Sequence, residues 1–277
     1  MIAPARPTPA VLALACLLGL AACGGDAPPA EGDDTSEPAM TSAGSGPEGL
    51  ARMLAEGDAV FGIFSGDHTR EAGMAMAANR ETDFVFYSLE TGPFDIPAME
   101  AYMAGMAEAS GTMGTHPVLL RVPPPHDAEA TRGHVAQGLA AGIDGVVYPH
   151  VQNADQARLA VQAMGDGVWP ADPSGDLINV LIIEDQEGIA NARAILEAGG
   201  ISVAIPGPGD LRRAYEGDME AVESAIQQVL TLCLELDVAC GITAGVDDIG
   251  DRLSQGFRVI IVTQPEALAV GRAAAGR

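Results

Sequence analysis

The chain has 277 residues and a formal net charge of −24, with 38 acidic against 14 basic side chains. So strong a negative excess leaves no basic footprint for nucleic acid or for an anionic lipid surface, and neither is expected as a partner. All 14 basic residues are arginine, which excludes chemistry through a lysine Schiff base.

Residues 1–22 read as an export signal: Arg6 supplies a cationic start, Val11 to Leu20 an apolar stretch, and small residues come next. The apolar stretch is too short to span a bilayer. Its end, Leu20-Ala21-Ala22-Cys23-Gly24, resembles a bacterial lipobox, whose cysteine becomes the lipidated N-terminus of the mature protein; the alternative is an ordinary signal peptide cleaved near Ala22. Residues 23–48 are Gly, Pro, Ser, Thr, Asp and Glu with almost nothing large and apolar, a composition expected of a flexible tether. The expectation is a folded domain over 49–277, lipid-anchored through Cys23 at the extracytoplasmic face of a bacterial envelope.

After a short helix at 50–56, apolar runs alternate with helical patterns. Strands are predicted at 59–65, 83–90, 117–123, 145–151, 178–184, 201–206, 239–244 and 257–263, and helices at 96–110, 128–141, 154–164, 188–198 and 219–236. The strands are continuous apolar runs, as expected when both faces are covered. Eight of them interleaved with helices predict a single (β/α)8 TIM barrel, in preference to an open doubly wound sheet. Asn153 with Gln156 reads as a helix start, and Gly142, Gly199 and Gly256 stand where helices should stop. Cys233 and Cys240 read as buried free thiols, a disulfide between them remaining open.

In such a barrel the residues leaving the C-terminal strand ends share one face, where these folds carry their chemistry. Here they include Glu90, Arg121, Glu184 and the turn Gly207-Pro208-Gly209-Asp210. Adjacent strands lie about 4.8 Å apart, so Glu184 and Asp210 can reach one cation, water and a bidentate substrate completing its shell; alternatively both acids merely cap helices. Arg121 either pairs with an internal acid or receives a carboxylate in its planar fork. The glycine turn offers unobstructed backbone amides to the other end of a small anion. Of the histidines, His68, His126 and His150 fall on the functional face, His150 being best placed to act as a base, while His116 belongs to the opposite face and His134 to a helix.

In order and spacing, these motifs, with Gly62-Ile63-Phe64 and Tyr148-Pro149-His150-Val151-Gln152-Asn153-Ala154-Asp155, resemble the HpcH/HpaI aldolase and citrate lyase family. The resemblance implies a metal-dependent class II aldolase acting on pyruvate or related 2-oxo acids. It implies a divalent cation (Mg²⁺, or Mn²⁺ or Co²⁺) on Glu184 and Asp210, substrate contact from Arg121, and a carboxylate seat at Gly207, Pro208 and Gly209. It also implies a homo-oligomer. Two departures stand out: Ser88 and Thr91 occupy the positions of the family's aspartate and acid–base histidine, and the loop before the fifth strand is shortened to 165–176. Threonine cannot take up a proton near neutral pH. The first expectation is therefore a carbon–carbon lyase cleaving or forming 4-hydroxy-2-oxo acids. The alternative is a catalytically degenerate relative that binds an oxoacid or serves as an envelope interaction protein.

Overall fold

The computed structural model describes residues 49–277; the export signal, Cys23 and the tether lie outside them. Eight parallel strands close on themselves: β1 (Val60–Phe64), β2 (Phe84–Ser88), β3 (Val118–Arg121), β4 (Gly145–Tyr148), β6 (Leu177–Ile183), β7 (Val203–Pro206), β8 (Ala239–Ala244) and β9 (Val259–Val262), with β9 pairing back onto β1. The two-residue β5 (Val168–Trp169) pairs with the start of β6 and stands outside the ring. It is the one strand not predicted, lying in the shortened loop. The helices are α1 (Leu50–Ala55), α2 (Arg70–Met76), α3 (Ile96–Ser110), α4 (Ala128–Ala140), α5 (Ala154–Met164), α6 (Gln186–Ala190), α7 (Ala192–Leu196), α8 (Pro208–Ala214), α9 (Met219–Leu236), α10 (Ile249–Gln255) and α11 (Glu266–Ala274). The helix predicted at 188–198 is thus two, broken at Asn191, whose side-chain amide donates to Gln152 O at 2.8 Å. Among the described residues no helix is long and apolar enough to cross a membrane.

Alternation along the strands divides the apolar residues into two clusters. Val60, Phe84, Phe86, Leu119, Val147, Ile178, Val180, Ile182, Val203, Ile205, Val259 and Ile261 fill the barrel interior. Their sequence neighbours, such as Phe61, Val85, Leu120, Val146, Leu181 and Ile260, pack with the helices outside. Helix α1 adds Leu50, Ala51, Met53 and Leu54 to the interior cluster and so plugs the N-terminal end. Each of its large side chains contributes about 1.5–3 kcal/mol by leaving water.

The inward series predicts the mouth. Two residues beyond Phe86, Leu119, Ile182 and Ile205 stand Ser88, Arg121, Glu184 and Gly207, the positions that must point into the C-terminal opening. The loops there end in helix caps. Thr69, Asp95, Asp127, Asn153 and Asp185 each accept a backbone amide in the first turn of the next helix. Because Asp185 caps α6, Glu184 has no capping duty, and the helix-cap alternative falls away for it.

At the opposite end, two aspartates tie strands together. Asp83, just before β2, accepts the Phe61 amide at 2.9 Å and is held by Arg272 at 2.9 Å and Arg277 at 2.7 Å. Asp144, just before β4, accepts the Val118 amide at 2.8 Å. Arg277 also donates to Ala59 O at 2.7 Å, drawing the end of the chain across the β1–β9 seam. Cys233 and Cys240 are buried free thiols.

Candidate active site at the barrel mouth

A cavity of about 430 Å³ opens at the C-terminal end, lined among others by Phe64, Phe86, Arg121, Glu184, Gly207 and Asp210. Arg121 lies along its wall: Nε donates to Ser88 Oγ at 2.9 Å, Nη2 pairs with Glu90 Oε2 at 3.0 Å, and the guanidinium carbon stands 5.2 Å from the Phe86 ring centroid. Phe64 meets Phe86 edge-on at 5.0 Å, backing this cation–π contact. Serine at position 88 thus orients the arginine. Of the two readings of Arg121, the pairing with an internal acid is the one seen, and the residue also lines the cavity.

Glu184, only 4 % exposed, accepts the His150 amide on Oε1 at 3.0 Å. Burial foremost, then the charges of Asp210 and Glu90, push its carboxyl up to about 8, against the opposing pull of the His150 amide and Arg121. A Cβ added to Gly207 would lie 2.4 Å from Glu184 Oε2, so only glycine lets the loop after β7 pass this close. Asp210, in the first turn of α8, lines the same cavity and is paired with Arg213. The Gly207 amide is used by Ile183 O at 3.2 Å and Pro208 has none. An anion at this loop therefore has the amides of Gly209 and Asp210.

His150 is brought into the site by its backbone. Val147 faces inward and Tyr148 outward; His150 adopts φ +52°, a left-handed conformation that turns its amide to Glu184. Its ring lies between two carboxylates, with Nε2 3.5 Å from Glu90 Oε1 and Nδ1 3.5 Å from Glu184 Oε1. One ring nitrogen and one oxygen from each of Glu90 and Glu184 lie within 4.8 Å of one another, close enough to hold one metal ion. The charge balance fits such an ion: Glu90, Glu184 and Asp210 face a single part-buried guanidinium, Arg121, and Glu184 resists ionisation without a further cation.

The other histidines stand apart. His68 stacks on Tyr87 at 4.1 Å, and burial lowers its pKa; His126 is exposed, and His134 packs on Phe94 at 4.3 Å. Thr91 is exposed. Glu90 is the member that sequence reasoning left without a role. Its signal was its place two residues past the end of β2, on the loop at the C-terminal opening.

The family model for HpcH/HpaI aldolase/citrate lyase matches residues 64–260. The chain belongs to this family. It is 26 % identical over 235 residues to the hydroxypyruvate/pyruvate aldolase of Delftia acidovorans, covering 76 % of this chain and 83 % of that one. It is 27 % identical over 165 residues to the 4-hydroxy-2-oxo-heptane-1,7-dioate aldolase of Shigella flexneri, covering 50 % and 62 %. Among solved structures, a family member from Burkholderia cenocepacia superposes with a TM-score of 0.67 at 20 % identity, over 82 % of this chain and 96 % of that one. The citrate lyase beta subunit from M. tuberculosis, complexed with oxaloacetate and magnesium, superposes with a TM-score of 0.57 at 16 % identity, over 80 % and 99 %. These structural likenesses establish the fold.

Proposed function

We propose that this member of the HpcH/HpaI family is a divalent-metal-dependent carbon–carbon lyase that cleaves or forms 4-hydroxy-2-oxo acids, with pyruvate or a related 2-oxo acid as one component. The observation that carries this reading is that Arg121 and Glu184 line one cavity with the Gly207–Asp210 loop, while Glu90 and His150 join them through close contacts between side chains. The aldolase relatives support the reaction type. Glu184 and Asp210 would hold the cation, with Glu90 and His150 within reach. Bound there, a divalent cation would polarise the 2-oxo group of the substrate and offset the charge that develops on it.

Arg121, fixed by Ser88 and Glu90, presents a preorganised positive charge along the path of the oxoacid, the arrangement that stabilises developing negative charge without reorganisation. The amides of Gly209 and Asp210 can receive the substrate carboxylate. With Thr91 unable to take a proton, His150 supplies the imidazole of the cluster, its ring set between Glu90 and Glu184. Phe64 and Phe86 exclude water from one wall. The test is release of pyruvate from a panel of 4-hydroxy-2-oxo acids by metal-stripped and Mg²⁺- or Mn²⁺-supplied protein. Turnover is expected with metal and is expected to disappear in Asp210→Ala; turnover in metal-free buffer would overturn the reading.

We further propose export and anchoring through a lipidated Cys23. Labelling with a radioactive fatty acid in a bacterial host should mark the wild type and leave Cys23→Ser unmarked.

A further inference from the structure

We propose that His150 is itself a ligand and makes the site selective for borderline transition-metal ions over Mg²⁺; this rests on the cation-dependent reading above. Mg²⁺ prefers an all-oxygen shell and keeps much of its water, whereas imidazole nitrogen favours ions such as Co²⁺ and Zn²⁺.

Three features of the site point this way. First, each ring nitrogen stands 3.5 Å from a carboxylate oxygen. Two ligands of a tetrahedral ion held at about 2.1 Å lie about 3.4 Å apart, so the spacing suits donors sharing an ion. Second, whichever nitrogen takes the ion, the other keeps a carboxylate neighbour, Glu90 or Glu184, and such a partner orients a metal-bound histidine. Glu90 is steadied for this by Arg121 on its Oε2, which leaves Oε1 toward the ring. Third, His150 holds a left-handed backbone that costs a side-chain-bearing residue about 1–2 kcal/mol. Its amide bond to Glu184 fixes the imidazole next to the most buried carboxylate of the site.

The competing arrangement has no ligand role for the ring: a charged imidazolium would bridge Glu90 and Glu184 and compete with any cation. The two arrangements respond differently to removal of the ring. Asparagine tolerates the left-handed region and keeps the backbone amide, so His150→Asn replaces nitrogen by oxygen with little other change. Calorimetric titration of Mg²⁺, Co²⁺ and Zn²⁺ into the metal-stripped full chain should show His150→Asn losing tenfold or more in affinity for Co²⁺ and Zn²⁺, with Mg²⁺ binding held within about threefold. Glu184→Gln should lose all three ions. Pulsed electron paramagnetic resonance of the Mn²⁺-loaded wild type should show coupling to an imidazole nitrogen, a readout that needs no variant. Equal changes for Mg²⁺ and Co²⁺ in His150→Asn, or no nitrogen coupling in the wild type, would overturn the ligand role while leaving the cation site in place. No binding of any ion by the wild type would overturn both.

Discussion

At the N-terminal end of the barrel Asp83 and Asp144 each stand one residue before a strand and accept the amide of the neighbouring strand. At the C-terminal end Glu184 and Asp210 line a cavity in which Arg121 is the part-buried cation, and Glu90 pairs with that arginine. The same functional group is therefore placed under opposite conditions. Asp83 has an amide and two guanidinium groups and holds the fold together; Glu184 has one amide, repelling neighbours and little water. Asp83, with enough donors, thus belongs to stability, whereas Glu184, short of them at the mouth, is open to a ligand.

The sharpest way to break this contrast is Glu184→Gln, which preserves shape and removes charge. We expect turnover to fall at least about 1,000-fold, equivalent to about 4 kcal/mol in the barrier, while melting stays within a few degrees of the wild type or rises. Near-normal pyruvate release would place the chemistry elsewhere. Asp83→Ala should do the reverse. Removing one partner of a buried ion pair costs about 3–4 kcal/mol, and here it also orphans the Phe61 amide, so urea unfolding should shift strongly while the folded fraction keeps its turnover per molecule.

A third experiment uses pH to sharpen the lower end. Burial above all raises the Asp144 carboxyl to about 6, from an ordinary 3.8. The folded state thus holds this proton more tightly than the unfolded chain does. The associated stability rises as pH falls from about 6 toward 4, and above pH 6 the group costs up to about 3 kcal/mol. Asp144→Asn keeps an acceptor for Val118, so unfolding curves should show it equal to the wild type near pH 4 and more stable at pH 7. An unchanged pH dependence would mean that the charge finds compensation at neutral pH. The smallest effect is expected from Gly207→Ala, where the added methyl meets Glu184 Oε2. We expect about 1–2 kcal/mol of destabilisation and about tenfold weaker metal binding; an unaffected metal affinity would show that the loop can retreat without moving the carboxylate.

Much of the architecture was legible because doubly covered strands must be apolar throughout, and all eight barrel strands announced themselves that way. β5 did not, since two residues carry no period, and the break at Asn191 depends on a bond to Gln152, remote in the chain. At the site, Arg121, Glu184 and the glycine turn could be read from their places at strand ends. That Asp185 rather than Glu184 caps α6 could not be read from adjacent acids, because only the position of the helix start separates them. His150 was legible as a histidine at a strand end, but its placement depends on a left-handed backbone that no side-chain pattern encodes. Glu90 was visible as a residue and hidden as a partner, because its role arises across strands.

The clasp at the lower end has a kinetic consequence. The bonds from Arg272 and Arg277 to Glu81, Asp83 and Ala59 join positions 189 to 218 residues apart. Contacts of such span form late, after most of the loop-closure entropy has been overcome. Until the β1–β9 seam shuts, the ring has no fixed circumference and the strand ends that carry Glu90, Arg121, His150 and Glu184 have no fixed separation. In a refolding experiment, helical signal is therefore expected to return first and metal affinity last, so that competence at the mouth reports closure at the far end.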